Sequence, residues 1–261
     1  MRNWLSMPGR RRNNPAGEES TARPYRKHPA PALPVAQVRT AWQVISLLLD
    51  YPDETGVERL PMLRRAVAGL PDEVRDPLLR LMDHLGSSPL DAVQKDYVDT
   101  FDTTRKCALH LTYYAHGDTR KRGVALVQFK QAFRRGGLEV VDDELPDHLA
   151  VVLEFGATSE DLSAAWKLVN DHRAGIELLS MGLAARPSPW VDAVAALQAT
   201  LPPLDGDQTE AVAKLLREGP PDEAVGMDGY ALDPRLNPHP DDDPDASFEF
   251  VPGRDAQGVL S

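Results

Sequence analysis

The 261-residue chain contains one cysteine, Cys107. An internal disulfide is therefore excluded, as is a zinc or iron–sulfur site built from cysteine thiolates alone. Long apolar runs are also missing: Leu47–Leu49 and Leu149–Leu153 fall far short of the roughly 20 residues a bilayer demands, so no membrane span is expected. No stretch alternates with the period of a strand. There is no phosphate-cradling glycine loop, no nucleophile elbow and no His-Glu-x-x-His helix, so neither catalytic residues nor a bound metal or cofactor are expected. Arg10-Arg11-Arg12 runs into Asn13, Asn14 and Pro15 without an apolar segment, and no export signal is read there. Positive charge is in deficit overall, with 29 Lys and Arg against 40 Asp and Glu, a net of −11. A protein that grips nucleic acid needs clustered cations, so nucleic acid is not an expected partner.

Charge and proline divide the chain into three parts. Residues 1–33 are basic and end in Pro24, Pro29 and Pro31; they have too little apolar surface to offset their ordering entropy and should be disordered. Residues 218–261 hold eleven acids against Arg235 and Arg254, and read as a solvated, self-repelling tail. Phe248, Phe250 and Val251 near its end are candidates to dock on a surface, against the alternative of a tail ordered on nothing.

Residues 34–217 between them carry a helical period throughout, which predicts an all-α bundle. Val35, Val38, Trp42, Ile45, Leu48 and Leu49 mark a first helix that Pro52 stops, and a second runs to about Leu70. A third spans Asp72 to Leu85 with Gly86 as its stop, and a fourth spans Leu90 to Phe101. Asp118 should cap a helix from Thr119 to Arg135 that presents Ala125, Leu126, Phe129, Ala132 and Phe133 on one face. Asp142-Asp143-Glu144, with Pro146 in the first turn, should open the next. Thr158 and Asp161 form a capping-box pattern for a long helix with Leu162, Trp166, Val169, Ile176, Leu179 and Leu183 inward. Two shorter helices, Trp190–Ala199 and Gln208–Arg217, complete the pattern.

Two features carry potential chemistry. Cys107, His110 and His116 resemble half a metal site, and with the basic helix beside them they suggest a metal- or nucleotide-dependent enzyme as the alternative reading. Residues 105–135 hold eight bases and the single acid Asp118, which leaves the rest of the domain strongly acidic. That polarity suits an anionic group near Arg120 and Arg122, and a cationic amphipathic peptide along an acidic groove with apolar walls. An ordinary solvated helix face remains the alternative.

Four motifs occur in order: Leu47-Leu48-Leu49-Asp50-Tyr51-Pro52-Asp53; Leu90-Asp91-Ala92 leading to Tyr97 and Phe101-Asp102; His116-Gly117-Asp118-Thr119-Arg120-Lys121-Arg122-Gly123; and Glu144-Leu145-Pro146-Asp147-His148-Leu149. Over about residues 35–185 they resemble the NarJ-type nitrate reductase assembly chaperones, also called the nitrate reductase delta subunit, a branch of the TorD-like redox-enzyme maturation chaperones. The resemblance implies a single TorD-like helical domain in a cytoplasmic, non-catalytic protein. Such a protein binds the N-terminal segment of the immature catalytic (alpha) subunit of respiratory nitrate reductase and keeps it competent for molybdenum cofactor insertion. Molybdenum cofactor delivery proteins are a further implied partner. By position, the motifs carry Tyr97, Phe101, Asp102, His116, Arg120, Arg122, Glu144, Asp147 and His148 into the recognition region.

An amphipathic client helix needs an apolar groove, for which Tyr97, Phe101, Tyr113, Tyr114, Phe129 and Phe133 are candidate walls. Asp102 and Asp147 are candidates to pair with client Lys or Arg, and His148 to make binding pH-sensitive. The alternative for Asp147 and His148 is that they cap and lock their own loop.

Overall fold

Helix α1 (Val35–Leu48) lies along α7 (Leu149–Thr158), and the rest of the bundle is assembled around this pair. The computed structural model describes residues 5–6, 28–140 and 144–219, all within one compact unit; the second unit, Glu223–Ser261, lies outside them. The disorder expected for residues 1–33 and 218–261 thus falls mostly outside the described residues.

The α1–α7 contact has an identifiable cause. Every residue of α7 from Leu149 to Gly156 is buried, as are Val38, Trp42, Ile45 and Leu48 of α1, and Trp42 and Ser46 meet it directly. A Cβ at Gly156 would stand 2.4 Å from the Trp42 ring, so only glycine lets the two helices approach this closely. Polar atoms trapped in the interface find partners: Trp42 Nε1 donates to Thr200 Oγ1 at 3.0 Å, and the Ser46 hydroxyl donates to the Ala150 carbonyl at 2.8 Å. Each large side chain fully buried here contributes about 1.5–3 kcal/mol relative to leaving it in water.

Helices α2 (Glu54–Val67) and α3 (Asp72–Ser87) pack against each other and on α1, and α10 (Val191–Thr200) covers α3 and α1. Asp53 caps α2 by accepting from Gly56 N at 2.6 Å, which gives the first motif a local role. Helix α3 passes through Gly86 and ends only at Ser87. Pro89 is the real stop, because it drives the preceding Ser88 into extended backbone. Helix α4 (Leu90–Tyr97) runs on as a π-turn over Val98–Asp102, close to the expected span.

Further along, α5 (Tyr113–His116) is a single turn, and α6 (Arg120–Arg135) follows. Thr119 occupies the N-cap position of α6 without a side-chain cap bond, and Asp118 instead pairs with Arg122 at 3.0 Å, correcting the expected cap. Strands β1 (Leu5–Ser6) and β2 (Glu139–Val140) pair antiparallel, a two-residue addition to a molecule that is otherwise all-α among the described residues.

Two expected helices are redrawn. Helix α7 begins at Leu149 and not near Asp142, because Glu144–His148 is held in a loop bridged to His110. The long helix after Thr158 is two helices, α8 (Ser163–Asp171) and α9 (Arg173–Ala185), interrupted at His172, whose Nδ1 lies 2.9 Å from the Leu168 carbonyl. Thr158 does not cap; its hydroxyl donates back to the Glu154 carbonyl at the end of α7. The six side chains expected to face inward are all buried. Helix α11 (Gly206–Glu218) closes the described chain with a complete capping box between Asp205 and Gln208. Among the described residues no helix is long and apolar enough to cross a membrane.

Candidate functional site

The aromatics expected to wall a groove are mostly core. Tyr97 is buried with its hydroxyl donating to the Leu49 carbonyl at 2.9 Å, and its ring packs on Phe101 and Trp190 at centroid distances of 4.8 and 5.4 Å. Phe129 is buried against His172, and Phe133 against Phe155 at 4.6 Å. Tyr97, Phe101, Phe129 and Phe133 therefore cannot form a client-facing surface. With aromatics at 6 % of the chain, the bundle spends its largest rings on its own interior.

The third and fourth motifs meet at Asp147, whose side chain has no exposed surface. Its Oδ2 accepts from the Thr112 backbone N–H at 3.2 Å and from the Thr112 hydroxyl at 2.5 Å. His110 Nδ1 lies 3.4 Å from Oδ1, and Arg122 Nη2 lies 3.7 Å from Oδ2. Leu111 N donates to the Asp147 carbonyl and Leu149 N to the Leu109 carbonyl, at 2.9 and 2.8 Å, so the backbone is tied on both sides. This knot joins the segment before α5, the start of α6 and the start of α7.

Electrostatics follow from these contacts. Burial pushes the Asp147 carboxyl up, but the close approach of His110, the Thr112 hydrogen bonds and the charge of Arg122 outweigh it and hold the group at about 2. Burial, reinforced by the His110 charge, pushes His148 down to about 3 despite the opposing pull of Asp147. The expected pairing of Asp147 with a client cation is overturned, since its partners lie inside the chain. His148 stays neutral around pH 7, so it does not supply the pH sensitivity expected of it.

Cys107 is buried and its thiol is shifted upward, chiefly by that burial. Among the described residues no three His, Cys, Asp or Glu side chains are grouped to hold a metal ion. Cys107, His110 and His116 are thus not brought together as a ligand set.

Tyr113 and Tyr114, directly after Thr112 in the chain, join the lining of an open hollow of about 450 Å³. Leu178 and Met181 of α9 and Leu215 and Leu216 of α11 line it together with the two tyrosines. Tyr114 is buried behind the surface with its hydroxyl donating to the Lys106 and Ala108 carbonyls at 3.1 and 3.0 Å. Two glycines of α9 set the geometry. A Cβ at Gly175 would stand 2.9 Å from Tyr114, and one at Gly182 would stand 2.6 Å from the Lys106 carbonyl oxygen. Met181 is 47 % and Leu216 56 % exposed, unusual for large apolar side chains standing together. Arg105 and Lys106 edge the hollow along with Glu218, so the acidic groove expected from the charge pattern is not found here; its rim is mixed.

Of the sequence-predicted residues, only Tyr113 and Tyr114 line this hollow. Asp102 and Arg120 are exposed elsewhere, and His116, Arg122 and Glu144 are partly exposed. Leu178, Met181, Leu215 and Leu216 were not anticipated. Their signal is that they are apolar yet lie off the inward stripe set by Ile176, Leu179, Leu183 and Val212.

Comparison with known proteins adds the following. Residues 68–196 match the family model described as "Nitrate reductase delta subunit". The chain is 36 % identical over 157 residues to the nitrate reductase-like protein NarX of Mycobacterium tuberculosis, which covers 60 % of this chain but only 23 % of NarX. It is 29 % identical over 161 residues to the probable nitrate reductase molybdenum cofactor assembly chaperone NarJ of Bacillus subtilis, covering 61 % of this chain and 87 % of that protein. The nitrate reductase molybdenum cofactor assembly chaperone NarJ of Escherichia coli is 35 % identical over 149 residues, covering 56 % and 62 % respectively.

Proposed function

Through residues 68–196 the chain belongs to the nitrate reductase delta subunit family, and from that premise we propose that it is an assembly chaperone for a respiratory nitrate reductase. Its client is the immature catalytic (alpha) subunit, held by that subunit's N-terminal segment while the molybdenum cofactor is inserted. Molybdenum cofactor delivery proteins are transient further partners, and the work is done in the cytoplasm.

One observation carries the reading: an apolar hollow stands open on the surface with Met181 and Leu216 uncovered. Binding and release are enough for this task, and no bond need be made or broken. An amphipathic client helix anchors through side chains at one-turn spacing, and each large apolar anchor that leaves water gains about 1.5–3 kcal/mol. Ordering and association costs consume much of that gain, which keeps the complex reversible. Tyr113 contributes an aromatic wall and the mixed rim of Arg105, Lys106 and Glu218 selects orientation.

The test is calorimetry of the full chain with the N-terminal peptide of the alpha subunit. Binding at micromolar affinity is expected, weakened at least about tenfold, or about 1.4 kcal/mol, by Met181→Asp combined with Leu216→Asp. No heat of binding with the unaltered chain overturns the proposal. Unaltered binding by the double variant moves the client site elsewhere.

A further inference from the structure

Helix α6 has a second face that the client groove does not use. Its inner side buries Ala125, Phe129, Ala132 and Phe133. Arg120, Val124, Val127, Gln131 and Arg134 follow one another at spacings of three and four, which aligns them along the outer side. Val124 is 66 % exposed and Val127 51 %. Solvent-facing β-branched residues do nothing for helix stability, since they lose side-chain freedom and are poorer helix formers than Ala, Lys or Glu.

Beside Val127 lies a hollow of about 330 Å³, lined also by Gly123, Leu126, Lys130, Leu145 and Pro146. Leu145 is itself 40 % exposed. The loop that supplies Leu145 and Pro146 is held in place by the Asp147 knot, so this hollow is preformed. It shares no lining residue with the groove at α9 and α11.

The charge around it is of one sign along the helix. Arg120–Arg135 contains six bases and no acid. Arg122 is turned inward to Asp118 and Asp147, and Arg134 reaches Glu139 at 3.6 Å. Among the described residues Arg120, Lys121, Lys130 and Arg135 have no ion-pair partner. Glu144, the acid in the lining, accepts from the Leu145 backbone N–H at 3.1 Å.

We propose that the outer face of α6, with the Glu144–Pro146 loop, is a second docking surface that takes an acidic protein segment carrying an aliphatic residue. The aliphatic side chain seats between Leu126, Val127 and Leu145. Carboxylates one to two helical turns to either side meet Arg120 and Lys121 at one end and Lys130 at the other. A nucleic-acid strand fits less well, because an apolar strip interrupts the cations and both aromatics of α6 are buried, which leaves nothing for bases to stack on.

The experiment uses the full chain and a fluorescein-labelled synthetic helical peptide with a central leucine pair flanked by glutamates one and two turns away, read by anisotropy. Binding is expected that weakens at least about tenfold between about 0.05 M and about 0.3 M salt. Val127→Asp and Lys130→Glu should each weaken it at least about tenfold while leaving the circular dichroism and Tm unchanged, and Met181→Asp should not affect it. Absence of binding, or indifference to Val127→Asp, overturns the proposal. So does equal binding of a peptide with lysines in place of the glutamates, or displacement by a single-stranded oligonucleotide. Self-association abolished by Val127→Asp would assign the face to a second copy of the chain. Binding at least about tenfold tighter after deletion of residues 218–261 would assign it to the chain's own acidic tail. Either result sets aside the separate partner.

Discussion

Thr112 and Tyr113 are adjacent in the chain and meet opposite surroundings. Thr112 is buried, with its amide and hydroxyl both on the Asp147 carboxylate, while Tyr113 lines an open hollow with Met181 and Leu216. Each place inverts the usual distribution of polarity: a carboxylate inside, large apolar groups outside. The inversion at Asp147 is resolved within the chain by His110, Thr112 and Arg122. At Met181 and Leu216 no such resolution exists among the described residues. The buried polar cluster is therefore architecture, and the uncovered apolar one is the place that the proposed function assigns to the client.

The sharpest way to test that division is to damage the architecture first. Phe133→Ala removes a fully buried ring that packs on Phe155, and should cost about 3–5 kcal/mol by urea denaturation. A loss below about 1 kcal/mol would mean the ring is not core, and would reinstate it as a candidate client wall.

Asp147→Asn comes next in size. It leaves His110 and Arg122 facing a neutral amide and should cost about 1.5–3 kcal/mol. The carboxyl sits at about 2 when folded against an ordinary 3.8, so its contribution is fully present above about pH 4 and is lost as the pH falls through 2; the shift corresponds to about 2 kcal/mol. His148 acts in a higher window. Folded, it is pushed down to about 3 from an ordinary 6.5, so unfolding takes up a proton between those values. Its contribution is complete above pH 6.5 and declines as the pH falls toward 3. Urea midpoints against pH should therefore flatten in the lower window for Asp147→Asn and in the upper window for His148→Gln. Profiles identical to that of the unaltered chain would show that neither group is held as described.

The contrast also explains which parts were legible in the sequence. Inward stripes such as Val38, Trp42, Ile45 and Leu48 were readable because a helix repeats every 3.6 residues whatever it packs against. The start of α7 was not. Asp142, Asp143, Glu144 and Pro146 all signal a helix opening locally, but Asp147 is claimed by His110 and Thr112 from a distant segment, and tertiary bonding overrides the local preference. Phe129 and Phe133 were read both as the inner face of a helix and as walls of a groove, and one side chain cannot do both. The groove itself joins residues 105–106, 113–114, 178–185 and 215–219, which no single period connects. Only the misplaced apolar positions Met181 and Leu216 hinted at it.

The smallest expected change in stability is the one that bears most directly on function. Met181→Asp and Leu216→Asp replace side chains already half in water, and charged groups there remain solvated, so each should move the urea midpoint by no more than about 0.5 kcal/mol. Burying the same carboxylates against an apolar client helix without a partner is costly, so client binding should fall by a far larger factor than stability. If either substitution unfolds the domain, that side chain is already covered within the folded chain. The hollow would then be an interior seam like the one around Asp147, and the distinction drawn between the two places would disappear.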